Sequence, residues 1–286
     1  MERSLSQNEA KIILDLEWRS QATVTLAELR EALGASASYA RFFAHKLVQK
    51  GWLERLRPGL FRLVPAARGR EGVADANPLA AGAVLVSPYF FSFGTACTHH
   101  GLTEQVFAEV YVACQERRRP VLVRGKRYVF VEVPRERFFG FTEQTVLGEP
   151  VQMATLERAL LDALDRPQHS GGLSEVSRIV SRAASRISWP ALLDLALRWQ
   201  AAAVLQRLGC LLDLHRADLP AHARSELVKL TRDASKIQLG PRAKWGYAGK
   251  LVQPWNVVEN VPCEVLVSRV DQGRRRVAFR PKGAGS

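Results

Sequence analysis

The sequence lacks the features that mark several classes of protein. No apolar run reaches the roughly 18 residues of a membrane-spanning helix, and the chain opens on Met-Glu-Arg-Ser instead of a basic and then apolar leader. The few cysteines have neither zinc-finger spacing nor neighbouring histidines, so we expect free, mostly buried thiols at Cys97, Cys114, Cys210 and Cys263. These absences predict a soluble, cytoplasmic protein with no membrane partner.

The common catalytic motifs are missing as well: there is no glycine-rich phosphate loop, nucleophile elbow or kinase-like set of residues. His99 and His100 point about 100 degrees apart on a helix, so we expect one in the domain core and one at the surface. Asp162 and Asp165 suit a magnesium site, but the third carboxylate and the lysine of a nuclease are not evident. Solvated charges or a structural pair with Arg166 are favoured. We therefore expect no enzyme, no metal and no cofactor.

Acidic residues are scarce where basic residues are concentrated. The formal net charge of +13 favours partners that carry phosphate. The first 35 residues contain more acids than bases, whereas residues 36–70 contain a single acid, Glu54. The positive charge therefore begins where a recognition element for DNA would begin. The basic residues of this segment are Arg41, Lys46, Lys50, Arg55, Arg57, Arg62, Arg68 and Arg70.

Capping signals predict three helices near the N-terminus. Ser6-Gln-Asn-Glu9 is a capping box that begins a first helix running to about Arg19. Thr25-Leu-Ala-Glu28 begins a second helix, which ends at Gly34 because glycine readily takes the left-handed conformation. A third helix follows a short turn and runs to Gly51.

The third helix and the hairpin after it carry the candidate DNA contacts. Apolar residues from Ala40 to Leu47 recur at helical spacing and should pack on the first two helices, which leaves the polar face outward. Trp52–Leu56 and Leu60–Val64 are expected to be strands joined at Arg57-Pro58-Gly59, forming a wing. The candidate contacts to base edges and phosphates are Ser36, Ser38, Tyr39, Arg41, Phe42, His45, Lys46 and Gln49 on the helix, and Arg55, Arg57 and Arg62 on the wing.

Three helices followed by a basic hairpin are typical of a winged helix-turn-helix. We therefore expect residues 1–70 to form such a domain and to bind double-stranded DNA. A winged helix used for protein contact is the alternative, which the absence of acids across the third helix and most of the wing disfavours. For Tyr39 and Phe42, packing against the wing is an equally good interpretation.

Residues 71–286 are expected to form a larger mixed domain, which makes the chain α+β. Ala66–Ala83 shows no helical or strand period and predicts a linker, with the boundary near residue 70. A basic cluster, Arg117–Arg119, either contacts phosphate, RNA or an acidic partner or is a solvated hairpin loop. The basic tail at about 269–286 is frayed or an extra arm. A small sheet is expected at about 85–150, with strands near Val106–Ala113, Pro120–Arg124, Tyr128–Val133 and Phe138–Thr145, and helices at about 154–230.

Several strings of the larger domain resemble a known family. They are Tyr89-Phe-Phe-Ser92, His100-Gly-Leu-Thr-Glu-Gln105, Thr155-Leu-Glu-Arg158, Leu160 to Pro167, Gly171-Gly172 and Gln206-Arg-Leu-Gly-Cys-Leu-Leu212. With the winged helix before them, they resemble the AbiEi antitoxins of abortive-infection, type IV toxin-antitoxin systems, which also look like stand-alone transcriptional regulators. The resemblance implies an N-terminal domain that represses its own operon at inverted repeats. It also implies a C-terminal domain that counters a nucleotidyltransferase toxin without forming a stable complex.

The expected function is thus a sequence-specific DNA-binding repressor that serves as the antitoxin of such a pair. Two alternatives stay open. One is a stand-alone winged-helix transcription factor with a sensing C-terminal domain, and the other is a metal-dependent enzyme that acts on nucleic acid. A nucleotidyltransferase-like reading frame next to the gene favours the antitoxin.

Overall fold

The computed structural model describes residues 4–66, 77–123, 125–147 and 149–267. The predicted basic tail and most of the predicted linker lie outside these residues. The chain divides into two compact units. The first comprises Met1–Ser87, Val121–Tyr128 and Thr145–Val151, and the second comprises Pro88–Pro120, Val129–Gln144 and Gln152–Ser286. Helices and strands are both present, largely in separate stretches of the chain, which confirms the α+β class.

Three helices open the first unit, as the capping signals predicted. They are α1 (Gln7–Trp18), α2 (Leu26–Leu33) and α3 (Ala37–Gln49). Capping boxes precede α1 and α2, and α2 ends at Gly34 with a φ of 56°, a conformation in which a side chain would be strained. At the start of α3 the Ser36 hydroxyl accepts a hydrogen bond from the Tyr39 amide at 3.3 Å.

A three-stranded sheet completes the winged helix. Its strands are β1 (Thr23–Thr25), β2 (Leu53–Arg57) and β3 (Leu60–Leu63), in the order β1-β3-β2 with antiparallel pairing. β2 and β3 are the predicted wing. The sequence did not predict β1, because three residues are too few to show a strand period. β1 nevertheless matters for packing, since Val24 is buried opposite Phe61.

A short helix, α4 (Pro78–Ala83), lies in the segment that was expected to be a linker. The expectation was wrong here because the Asn77 side chain fixes the start of the helix with two hydrogen bonds, one from each end of its amide group. Its carbonyl oxygen accepts from the Leu79 amide at 3.0 Å, and its amide donates to the Val146 carbonyl at 2.6 Å.

Six strands follow along the chain. Within the second unit β4 pairs antiparallel with β5 and parallel with β9 through Phe91 and Met153. β6 and the start of β7 form an antiparallel hairpin within the first unit. The sequence missed β9, because Pro150 cannot donate a ladder hydrogen bond and so argues against a strand. The bounds are β4 (Tyr89–Phe91), β5 (Glu109–Cys114), β6 (Val121–Val123), β7 (Lys126–Glu132), β8 (Phe141–Val146) and β9 (Glu149–Ala154).

The second unit is otherwise mainly helical. The long helices lie between Leu156 and Thr231, where the sequence predicted helices at about 154–230. Every one of them buries an apolar stripe. The helices are α5 (Phe93–His99), α6 (Leu156–Asp165), α7 (Leu173–Ala183), α8 (Trp189–Trp199), α9 (Ala202–Leu214) and α10 (Ala221–Thr231).

A second small sheet, which the sequence did not predict, follows α10. The Trp255 side chain anchors it: the ring is fully buried, and its indole N–H donates to the Asp213 carboxylate at 2.6 Å. Gly209 allows this packing, because a Cβ there would lie 2.3 Å from the Trp255 ring. The elements are β10 (Ile237–Gln238), α11 (Arg242–Trp245), β11 (Lys250–Val252), β12 (Val257–Glu259) and α12 (Cys263–Leu266), with strand order β10-β12-β11.

Candidate nucleic-acid interface

The two faces of α3 are separated as the sequence predicted. Ala40, Phe43, Ala44 and Leu47 are buried in the core of the winged helix. The opposite face is exposed to solvent, and it presents hydroxyl, guanidinium, imidazole and amide groups of the kind that read base edges and phosphates. Its exposed members are Ser38, Tyr39, Arg41, Phe42, His45 and Gln49.

A cleft of about 290 Å³ separates this face of α3 from the wing. Arg41 and His45 line it from the helix, and Arg55 lines it from β2. No acidic residue lines the cleft, and none of these three side chains makes a hydrogen bond or ion pair with any part of the chain that the structure describes. Positive groups that face one cleft without internal partners are available to an external anion. The remaining lining residues are Leu26, Val48, Pro58, Gly59 and Phe61.

Lys46 is less available than the sequence suggested. Its ammonium lies 3.3 Å from the carboxylate of Glu9, which is almost fully buried beneath α3. Lys50 binds the same carboxylate at 2.6 Å, and the Ser6 amide donates to it at 2.7 Å. These hydrogen bonds lower the pKa of Glu9 to about 2 although burial acts to raise it. The carboxylate therefore stays charged and holds the C-terminal half of α3 against α1.

Arg62 corrects the predicted wing contacts. Its guanidinium was expected to reach phosphate, but the side chain is only 6% exposed and donates to the Glu149 carboxylate at 3.0 Å. The sequence could not reveal this contact, because Glu149 is 87 residues away along the chain. Arg55 is exposed as expected, and the side chain of Arg57 at the end of β2 lies outside the described part of the structure.

Two aromatic rings complete the outward face of α3. Tyr39 and Phe42 are 46% and 61% exposed, and their ring centroids lie 6.3 Å apart. Rings exposed to this extent are free to contact a thymine methyl group or a sugar. Ser36 has a structural role as well, because its hydroxyl caps α3.

Asp162 contradicts the expectation of a solvated charge. The side chain is buried and accepts hydrogen bonds from Arg158 at 2.8 Å and from the Ser92 hydroxyl. Asp165, by contrast, lies 3.6 Å from Arg166, the structural pair that the sequence allowed. Among the described residues there is no group of three or more histidine, cysteine or acidic side chains that suits a metal. Asp162 is thus committed to the core of the second unit.

One residue of the histidine pair and one of the arginine cluster make contacts within the protein. His100 is partly buried with its Nε2 atom 2.7 Å from the Ala154 carbonyl oxygen, and His99 is exposed. Arg117, Arg118 and Arg119 are exposed, and Arg118 pairs with an acid two residues earlier at 2.9 Å.

None of the helices in the described ranges is long and apolar enough to cross a membrane.

The strings that carried the family resemblance meet in the core of the second unit. Arg158 is fully buried, and its guanidinium binds Asp162 and the carbonyl oxygens of Arg137 and Phe139, the last two at 2.6 and 2.7 Å. The same guanidinium lies 4.3 Å from the centre of the Trp199 ring. Periodicity alone could not identify this centre, since an arginine beside leucines looks like a surface residue. Ser92, Arg158 and Asp162, from three of these strings, therefore form a buried polar network.

Comparison with known proteins places these observations in a family context. Residues 11–64 match the family model described as "Transcriptional regulator, AbiEi antitoxin", which confirms the resemblance over α1 to β3 and hence over the α3 and wing cleft. The chain is also similar in fold to the crystal structure of the RV2827C protein from Mycobacterium tuberculosis. That match has a TM-score of 0.62 and 16% identity and covers 96% of this chain and 97% of the other. No curated protein matches the sequence.

Proposed function

We propose that this protein is a sequence-specific, non-enzymatic transcriptional repressor that binds operator DNA through α3 and the wing. The observation that carries the proposal is the cleft in which Arg41, His45 and Arg55 face outward with no acid beside them and no partner in the described structure. The family model that matches this segment describes a transcriptional regulator.

The arrangement suits the division of labour in winged-helix recognition. The N-terminal half of α3 carries Ser38, Arg41 and Phe42 toward base edges in the major groove, where an arginine pairs best with guanine. Arg55, on the wing, contacts the sugar-phosphate backbone next to the groove. His45, from the middle of α3, lines the same cleft and can donate to a base edge or to a phosphate.

We further propose that the protein is the antitoxin of a toxin-antitoxin pair. It represses its own operon at inverted repeats and counters a nucleotidyltransferase toxin without a stable complex. The support is the family description of residues 11–64 together with the resemblance of the second unit's strings to the antitoxins. Ser92, Arg158 and Asp162, from three of these strings, form a buried polar network that stabilises one specific fold.

The DNA contact is tested by binding of the full chain to its upstream region as a function of salt. Each phosphate neutralised adds about 0.9 to the slope of log K against log salt. Arg55→Ala should lower this slope by about one with little change in sequence preference, whereas Arg41→Ala should also relax preference for the operator. Lys11→Ala, which removes an equally exposed charge from α1, is the matched control. Binding that stays unchanged in both arginine variants would contradict the proposed interface.

The antitoxin role is tested by co-expression with the neighbouring reading frame. Wild-type protein should restore growth when that frame encodes a nucleotidyltransferase-like toxin, and affinity purification should recover no stable complex. Arg41→Ala should derepress the operon but still restore growth when expressed from a foreign promoter. No rescue of growth by the wild type would contradict the antitoxin role. Loss of rescue in Arg41→Ala would contradict the separation of operator binding from toxin neutralisation.

A further inference from the structure

The second unit contains a cavity that the proposed DNA contact does not use. Its volume is about 370 Å³, and it lies between the turn after α6, the start of α7, α9 and the C-terminal sheet. Cavities that hold small molecules begin at about 300 Å³. Leu239, Val261, Val265 and the Trp245 side chain form an apolar wall.

Two cations also line this cavity. Arg207 of α9 is partly buried, yet it makes no hydrogen bond or ion pair with any residue within the described ranges. Burial lowers the pKa of Arg207, and the charge of Asp165 only partly opposes this. Lys244 of α11 makes no ion pair with the described residues, and its ammonium lies 5.0 Å from the centre of the Trp245 ring. A guanidinium that has lost water without gaining an acceptor is stabilised strongly by an anion.

The surroundings do not cancel this positive charge. Asp165 is the one acid among the lining residues, and Arg166 lies 3.6 Å from it outside the lining. The start of α7 also lines the cavity, and Gly172 at this position has no side chain to cap the helix. The amides of Leu173 and Ser174 have no acceptor in the part of the chain that the structure describes. Amides at a helix start add to the attraction for an anion.

We infer that this cavity binds a small phosphate ester. Arg207, Lys244 and the α7 amides surround the phosphate, and Trp245 with the aliphatic wall contacts the organic part. Several convergent donors suit a phosphate dianion, because it offers more acceptor sites than a carboxylate and carries more charge. The apolar wall explains why an ester suits the site better than inorganic phosphate does.

The test uses the full chain labelled with nitrogen-15, in which each tryptophan gives one indole N–H signal. Phenyl phosphate is the probe, inorganic phosphate tests the charged group alone, and phenol tests the ring alone. At about 10 mM, above the roughly millimolar affinity of a few charged hydrogen bonds, phenyl phosphate should shift the Trp245 signal in a saturable manner. The signals of Trp18 and Trp52, which belong to the winged helix, should stay in place, so anions bound at the DNA face are distinguished.

Variants decide which residues hold the probe. Lys244→Gln, at an exposed position that should not disturb folding, and Arg207→Gln should each weaken binding by about tenfold or more. Arg232→Gln, an exposed arginine outside the cavity lining, is the matched control and should bind as the wild type does. An unmoved Trp245 signal, equal shifts with phenol, or wild-type affinity in Lys244→Gln would each overturn the inference. None of these outcomes depends on DNA binding.

Discussion

Replacing Glu9 by glutamine tests whether one buried carboxylate holds the recognition helix in place. The wild-type side chain is 1% exposed, accepts hydrogen bonds from Lys50 and the Ser6 amide, and lies 3.3 Å from the Lys46 ammonium. Glutamine keeps the size and one acceptor oxygen but removes the charge. The two lysines would then lie over a neutral group, so the winged helix should become less stable.

The magnitude follows from the pKa of Glu9, which is lowered from 4.5 to about 2. At about 1.4 kcal/mol per pKa unit, this difference corresponds to about 3 kcal/mol of folding free energy at pH 7. Because the folded pKa lies below the unfolded one, the contribution is fully present above about pH 5 and is lost as the pH falls toward 2. The gap between wild type and Glu9→Gln should therefore be widest near neutral pH and close in acid.

The assay follows the first unit within the full chain. Trp52 packs against the winged-helix core, so fluorine NMR of 5-fluorotryptophan protein reports its unfolding in urea, with the signal assigned by Trp52→Phe. Asp15→Asn is the control, because Asp15 forms an exposed i,i+4 pair with Arg19 on the same helix. Such pairs contribute about 0.5 kcal/mol. A loss below about 1 kcal/mol in Glu9→Gln at pH 7, or a gap that is as wide at pH 2 as at pH 7, would refute the reasoning.

Four further substitutions test the packing described above. Arg158→Met and Asp162→Asn should each destabilise the second unit by about 3–5 kcal/mol, since each leaves a buried charge without its partner; urea unfolding followed by far-ultraviolet circular dichroism measures this. Gly209→Ala should lose about 1–3 kcal/mol by the same method, because the new Cβ meets the Trp255 ring, and an unchanged midpoint would contradict that packing. Arg62→Ala should lower stability yet leave the salt dependence of DNA binding unchanged. If the slope of log K against log salt fell by about one, Arg62 would contact phosphate after all, against this prediction.

Local patterns predicted the elements that local forces determine. The two capping boxes and Gly34 gave the bounds of α1 and α2, and the apolar stripe of α3 gave its buried face. These signals depend on residues three or four positions apart, which the sequence displays directly. The short β1 stayed hidden because it is held by pairing with β3, more than 30 residues away. The strands after α10 have only two or three residues each, too few to show a strand period.

The candidate site was predictable only in part for the same reason. Which residues of α3 face outward follows from helical spacing, so Arg41 and His45 were found. Whether an outward cation is free or paired depends on contacts across the fold, so the partners of Lys46 and Arg62 were not. The anion cavity was equally out of reach, because its walls come from segments more than 90 residues apart in the sequence, such as Asp165 and Val261.

The pairing of Arg62 with Glu149 also affects the folding of truncated fragments and of the chain during its synthesis. A fragment that ends near residue 70 keeps every helix and strand of the winged helix, but its Arg62 guanidinium has no Glu149 carboxylate to donate to. Losing this ion pair should lower the stability of the isolated domain. During synthesis the Arg62 guanidinium has no such partner until 87 further residues have been added. The DNA-binding unit therefore reaches its full stability only after much of the following domain has been translated.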